Sequence, residues 1–365
     1  MIYLDYQATT PLAPEAREAM LRWLGGPEST SFGNPHSPHR IGRQAAAAVD
    51  WAREQVAALF PPGGTVTFTG GATEALNIAL RGAEAVRAGA PVAVSAIEHA
   101  AVLDTARALP GGAHILGVDR EGLLDPEVPL PEGVGLIALM QVNNEIGTIQ
   151  PVAELAARAS AQGALFLCDA VQAAGKLPIA EADMIAISAH KFHGPKGIGA
   201  LWVRDGVELT PLVTGGGQES GLRSGTLSPA LCAGMGAAAE LALGRMEEDA
   251  AHVARLWARG RELFAGWTLN GSAEQRYKGN LNLRRASEHG GLDVARLMAD
   301  VRQVAFSAGS ACASGSGRPS HVLSAIGLSA GEARGSIRLG FGRYTSMDAL
   351  ERAAEMISLA AAQQG

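Results

Sequence analysis

Short apolar runs alternate with amphipathic stretches along much of the chain. "TVTFTG" (65–70), "PVAVSA" (91–96), "GLIALMQV" (135–142), "ALFLCD" (164–169), "DMIAIS" (183–188) and "GALWVR" (199–204) read as strands. Among them lie the helix-like "TEALNIALRGAEAVRAG", "AAVLDTARAL" and "VAELAARASAQG" (152–163). This alternation predicts an α/β fold with a mainly parallel sheet. In such sheets, ligand sites gather at the carboxyl ends of the strands. A long helical stretch follows from about Pro229 to about Ala265, Ala- and Gly-rich at first and charged later. It reads as a connector from a large domain to a small one. Beyond it, "NLNLRR", "DVARLMADV", "VAFSAG", "HVLSAIG", "SIRLGFG" and "SMDALERAAEMISLAAAQ" give the second domain α+β character. No internal repeat is visible.

Composition sharpens this picture. At 365 residues, 47% hydrophobic and 18% charged, the chain is globular and too long for one small core. A formal charge of −6 with no basic run argues against nucleic acid as the partner. No apolar stretch approaches the length that crosses a bilayer, and "MIYLDYQATT" lacks a signal-peptide pattern. Cys168, Cys232 and Cys312 are scattered and form neither a disulfide framework nor a metal pair. The expected compartment is therefore the cytoplasm, where a free thiol stays available.

The strand ends carry the polar residues. "FTGGATEALNIAL" places two glycines and Ala72–Thr73 at the start of a helix, which suits either a phosphate or an ordinary turn capped by Thr73. Asp169 ends "LFLCD", where a carboxylate either caps the residues that follow or keeps a pyridine nitrogen protonated; Gln172 lies close by. In "SAHKFHGPKG", Lys191 follows a strand end directly, whereas Lys196 sits in a Gly-Pro turn. A Schiff-base lysine needs a rigid mount, which favours Lys191 over the solvated Lys196. Ser188 and His190 beside it can hold phosphate oxygens. His99, at the end of another strand, is either hydrogen-bonded structure or a ring that stacks on a flat cofactor and carries protons. "QVNNEIG" offers Asn143, Asn144 and Glu145, but only one carboxylate where glycosidase chemistry needs two.

In the second half, Cys312 lies within "FSAGSACASGSGRPSH", the composition of a loop and not of a core. An accessible thiol there is a nucleophile candidate, whereas Cys168 and Cys232 read as small buried hydrophobes. Arg338 in "GSIRLGFGR" suits a bidentate grip on a carboxylate or an inter-domain salt bridge.

Together these segments resemble the cysteine desulfurases of the NifS/IscS group, pyridoxal-phosphate enzymes of the class V aminotransferase family. The resemblance runs nearly end to end through "YLDYQATTP", "FGNPHS", "GATEALN", "EHAAVLD", "VNNEIGTIQP", "DAVQAAGKLPI", "SAHKFHGPKGIGALWVR", "GGGQESGLRSGT", "SAGSACAS" and "SIRLGFGRYTS". It implies a fold-type-I transferase with a mainly parallel seven-stranded sheet in a large domain (12–247). A small α/β domain (1–11 and 248–365) would carry the cysteine loop at about 307–320, and the chain would form a homodimer. Lys191 would hold pyridoxal phosphate as a Schiff base, Asp169 would face the pyridine nitrogen, and His99 would stack on the ring. Gln172 would contact the ring hydroxyl, with Asn144 beside ring and substrate. Ala72, Thr73, Ser188 and His190 would bind the phosphate, joined by Thr226 from the neighbouring subunit. Arg338 would hold the carboxylate of L-cysteine, and Cys312 would receive its sulfur as a persulfide. The acceptor would be an iron–sulfur scaffold or a tRNA-thiolation relay, with no metal, membrane or nucleic acid involved. The chain ends soon after its last helical stretch, a departure that bears on scaffold docking and not on the chemistry. Rival expectations are a selenocysteine lyase or another class V aminotransferase and, more remotely, a cofactor-free scaffold protein.

Overall fold

The computed structural model describes residues 1–285, 291–309 and 320–364. Its larger sheet has seven strands in the spatial order Gly64–Thr69, Gly199–Arg204, Met184–Ser188, Leu165–Asp169, Leu136–Met140, Val92–Ser95, Ala113–Leu116. Gly199–Arg204 runs antiparallel to both neighbours, and every other pairing is parallel. The three central parallel strands are buried at each position, because helices cover both faces of the sheet. On one face, Phe68, Phe166 and Ile185 pack with Val49, Val56 and Met235 of the helices Arg40–Ala57 and Pro229–Leu263. On the other, Leu167 and Leu201 meet Leu76 and Leu80 of Ala72–Val86 and Val102 of Ala100–Arg107.

The expected strands and helices occur with ends shifted by up to three residues, and "VAFSAG" divides into two short strands, Val304–Ala305 and Ser307–Ala308. Ala113–Leu116 was not anticipated, since this edge strand leaves His114 and Ile115 exposed and shows little apolar pattern. Two helices, Pro14–Leu21 and Arg40–Ala57, also lie outside the sequence reading. The buried face of the second is Gly42, Ala45, Val49, Ala52 and Val56, so small residues blunt its apolar signal.

A second core forms around a four-stranded antiparallel sheet in the order Ser307–Ala308, Ser336–Gly340, Asn280–Arg285, Trp267–Leu269. Leu281, Leu283, Ile337 and Leu339 pack there against Leu350, Ala353 and Ile357 of the helix Met347–Ala362. The chain's beginning belongs to this region. Ile2–Tyr3 pairs in parallel with Val304–Ala305, and Asp5 bridges to Gly340. Pro229–Leu263 gives Cys232, Met235 and Ala238 to the first core and Val253 and Leu256 to the second. Its continuous backbone links the two. No helix among the described residues is long and apolar enough to cross a membrane.

Candidate active site

The strand Met184–Ser188 runs straight into a single 3-10 turn, Ala189–Lys191, at the carboxyl edge of the sheet. Lys191 Nζ donates to the carbonyls of Gln7 (2.6 Å) and Ala8 (2.8 Å). The same N-terminal segment braces the turn from outside. Thr10 N and Oγ1 both donate to the His190 carbonyl (2.9 and 3.0 Å), and Thr10 Oγ1 accepts from His193 N (2.7 Å). The lysine thus has the rigid mount that its position after a strand predicts. Lys196 is exposed, at the rim of the same cleft.

That cleft has a volume of about 910 Å³, and Ala72, Thr73, Ser188 and His190 are among the residues that line it. Ala72–Val86 begins there with Gly71, not Thr73, at its N-cap, so the exposed Thr73 lies in the first helical turn. Glycine is required nearby: a Cβ on Gly199 would sit 2.6 Å from the Ile187 carbonyl oxygen and 2.8 Å from the Gly71 backbone. This close approach sets the helix N-terminus, with its unsatisfied N–H groups, beside Ser188. Burial, reinforced by the charges of Lys191, Lys196 and Lys176, pushes His190 down to about 4, so its ring is neutral at ordinary pH.

Asp169, His99, Asn144 and Gln172 line the same cleft. Asp169 Oδ1 accepts from Val171 N (3.0 Å) in a turn, and burial raises its carboxyl against the opposing pull of that N–H, His99 and Lys191. His99 Nδ1 accepts from Ala101 N (3.1 Å) as the N-cap of Ala100–Arg107, which puts the proton of the neutral ring on Nε2. Burial lowers its pKa. The structural role and the place in the cleft are therefore both real for His99. Gln172 is fixed at both ends, Nε2 donating to the Gln7 carbonyl and Oε1 accepting from Lys176 Nζ (each 3.0 Å). Glu98, wholly buried, accepts from Met140 N (2.8 Å); burial and then Asp169 hold its carboxyl well above the usual range.

Arg338 lies in Ser336–Gly340, fully buried, and also lines the cleft. Its Nη2 meets Asp5 Oδ1 at 2.7 Å and its Nη1 donates to the Asn144 carbonyl at 3.0 Å. Its Nε is buried without a partner among the described residues. An ion pair is thus present, with a partner that the sequence did not reveal. Asp5, Gln7, Thr10 and Glu98 escaped the sequence reading, because the residues they serve lie far away along the chain; Lys176, four residues from Gln172, escaped it because nothing local marks it as buried.

Thr226 is exposed and is not among the residues lining this cleft. Cys312 lies outside the described residues. The residues flanking that stretch are anchored close to the cleft's strand ends: Gly309 N donates to the Ser336 carbonyl (2.6 Å), and Ser320 Oγ donates to Glu145 Oε2 (2.5 Å). His321 Nε2 donates to the Glu98 carbonyl (2.8 Å). Cys168 and Cys232 are buried, and desolvation raises both thiols, Cys232 to about 12, so neither is a ready nucleophile.

The site therefore offers an anion seat, an amine and a buried carboxyl in one cleft, with a guanidinium on its wall. The family model for class-V aminotransferases matches residues 2–352. The cysteine desulfurase IscS of Rickettsia bellii is 40% identical, covering 98% of this chain and 90% of that protein. A solved NifS-like protein superimposes with a TM-score of 0.88 at 30% identity, over 98% of each chain. SspA, solved in complex with cysteine, gives a TM-score of 0.81 at 33% identity over 95% of this chain and all of that one. The chain belongs to the class-V aminotransferase family, within its NifS/IscS group.

Proposed function

We propose that this chain is a cysteine desulfurase, converting L-cysteine to L-alanine and leaving the sulfur as a persulfide on Cys312. The observation that carries the reading is the placement of Lys191 in one cleft with Asp169, the Ala72–Thr73 helix start and Arg338. These residues fit pyridoxal phosphate. The helix N-terminus with Ser188 and His190 suits its phosphate, joined by Thr226 of the neighbouring subunit, and Lys191 suits its aldehyde. Gln172 suits its hydroxyl, and His99 its ring face. Burial alone raises the Asp169 carboxyl, so a protonated ring nitrogen beside it is a partner that would favour the carboxylate. When bound, the cofactor supplies an electron sink for charge developing on the substrate's carbon atoms.

The chain's own residues do the rest. Arg338, on the wall of the cleft with Asn144 beside it, binds the α-carboxylate of L-cysteine. Lys191 Nζ takes the Cα proton, and His99 moves protons at Nε2, since Nδ1 is engaged. The Cys312 thiolate attacks the substrate sulfur. An S–S bond forms as the Cβ–S bond breaks, and the electron pair left on the carbon side takes a proton to complete alanine. A homodimer of two-domain subunits (12–247; 1–11 with 248–365), working in the cytoplasm and passing sulfur to an acceptor protein, completes the reading.

The test is product formation from L-cysteine under reducing conditions, with Cys312→Ala alongside. Wild type should give sulfide and alanine in equal amounts, and the variant should lose activity by about 100-fold or more, as expected when a covalent nucleophile is removed. Equal activity of the two proteins would refute the persulfide role and favour a lyase that needs no thiol.

A further inference from the structure

Arg338 is unusual among the residues of the cleft: its side chain is fully buried and it already has a carboxylate partner. An arginine meant to receive a substrate carboxylate must have its buried charge balanced, be held immobile and still be able to donate. Asp5 meets the first two needs. Its Oδ1 lies 2.7 Å from Nη2 and also accepts from Ser307 Oγ at 2.9 Å, so the carboxylate is itself tied down. The backbone supports the same contact. Asp5 bridges to Gly340, and Ser307 stands in register with Arg338 across the adjoining strand. The third need is met by position. Arg338 lines the cleft and Asp5 does not, so Asp5 grips the guanidinium from outside the cleft lining. With Nη1 on the Asn144 carbonyl, Nε is buried without a partner among the described residues.

We propose that Asp5, braced by Ser307, is a positioning residue that orients Arg338 for the α-carboxylate of the amino-acid substrate and so sets the site's preference for carboxylate-bearing ligands. This inference rests on the reading of Arg338 as the carboxylate-binding group. Asp5→Asn keeps size and one acceptor but removes the charge that holds the guanidinium, and Asp5→Glu restores the charge. Ser307→Ala loosens the carboxylate without touching either partner of the ion pair.

The experiment measures binding of L-alanine and of ethylamine, its carboxylate-free counterpart, to the holoenzyme by calorimetry, together with kcat and KM for L-cysteine. In Asp5→Asn, the Kd for L-alanine and the KM for L-cysteine should rise about 10- to 100-fold, the scale at which misplacement of a binding group is felt. Binding of ethylamine should be unchanged, Ser307→Ala should shift the same way by less, and Asp5→Glu should recover part of the loss. An unchanged Kd for L-alanine in a folded Asp5→Asn protein overturns the proposal. So does an equal weakening of ethylamine, which would mark a structural role. Should wild type itself bind L-alanine no better than ethylamine, the carboxylate reading of Arg338 fails first and this inference falls with it.

Discussion

A lysine turned inward carries a charge that its surroundings resist. Lys176 Nζ lies 3.0 Å from Gln172 Oε1 and 5.4 Å from the ring centroid of Tyr277, and desolvation followed by the charge of Lys191 brings it down to about 7 from 10.5. Between these two values the unfolded chain binds more protons than the folded one. Stability therefore rises with pH across that window, and the full penalty stands below it. Lys176→Met removes this penalty. The difference in Tm between variant and wild type should be most favourable to the variant below pH 7 and should shrink steadily towards pH 10. A difference that is constant with pH would mean that the amine titrates normally in the fold. Lys191 and Asp169 were legible at this scale, because a lysine or carboxylate directly after an apolar strand needs an explanation. Lys176 and Asp5 were not. Asp5 is separated from Arg338 by 333 positions, and nothing local distinguishes either residue from a solvated surface charge.

Between elements, the backbone approach of Arg40–Ala57 to Pro229–Leu263 depends on Gly236. A Cβ there would lie 2.4 Å from Gln55 Oε1, which can swing away, and 2.9 Å from Ala52 Cα, which cannot. Replacing a mid-helix glycine by alanine gains about 1 kcal/mol in helix propensity. Overpacking of a well-filled contact costs about 1–3 kcal/mol, so the net effect should be a loss. Gly244 lies in the same helix with nothing among the described residues within 4 Å of its Cβ position, and the same substitution there should yield the gain alone. Thermal unfolding should thus give Gly236→Ala a lower Tm than wild type and Gly244→Ala a higher one. Equal shifts would show that the two helices do not need their close approach. The amphipathic helices and apolar strands were legible to within three residues. Arg40–Ala57 was missed because its buried stripe is mostly alanine and glycine, which carry little hydrophobic signal.

For the whole molecule, the position of Thr226 bears on assembly. It is exposed in the single chain and absent from that chain's own cleft lining, so a role at a cleft would need the proposed neighbouring subunit. A mixed dimer of one Lys191→Ala subunit and one Thr226→Ala subunit tests this. If Thr226 acts across the interface, the mixed dimer holds one fully native site and regains about half the activity of the wild-type dimer, the share expected for independent sites. If Thr226 acts within its own subunit, no site is native and nothing is regained. The sequence by itself determined the fold class, the mainly parallel sheet and the chemical types gathered at its edge. Hydrophobic period and turn residues are local properties, and a polar residue at a strand end stands out against its neighbours. Only the tertiary structure decided which groups meet. Residues 5–10 close over Lys191, Gln172, His190 and Arg338 from the opposite end of the chain. Such contacts arise because the N-terminal segment runs from the second sheet, where Asp5 bridges to Gly340, to the turn that ends a strand of the first, where Thr10 meets His190, and no spacing along the sequence encodes them.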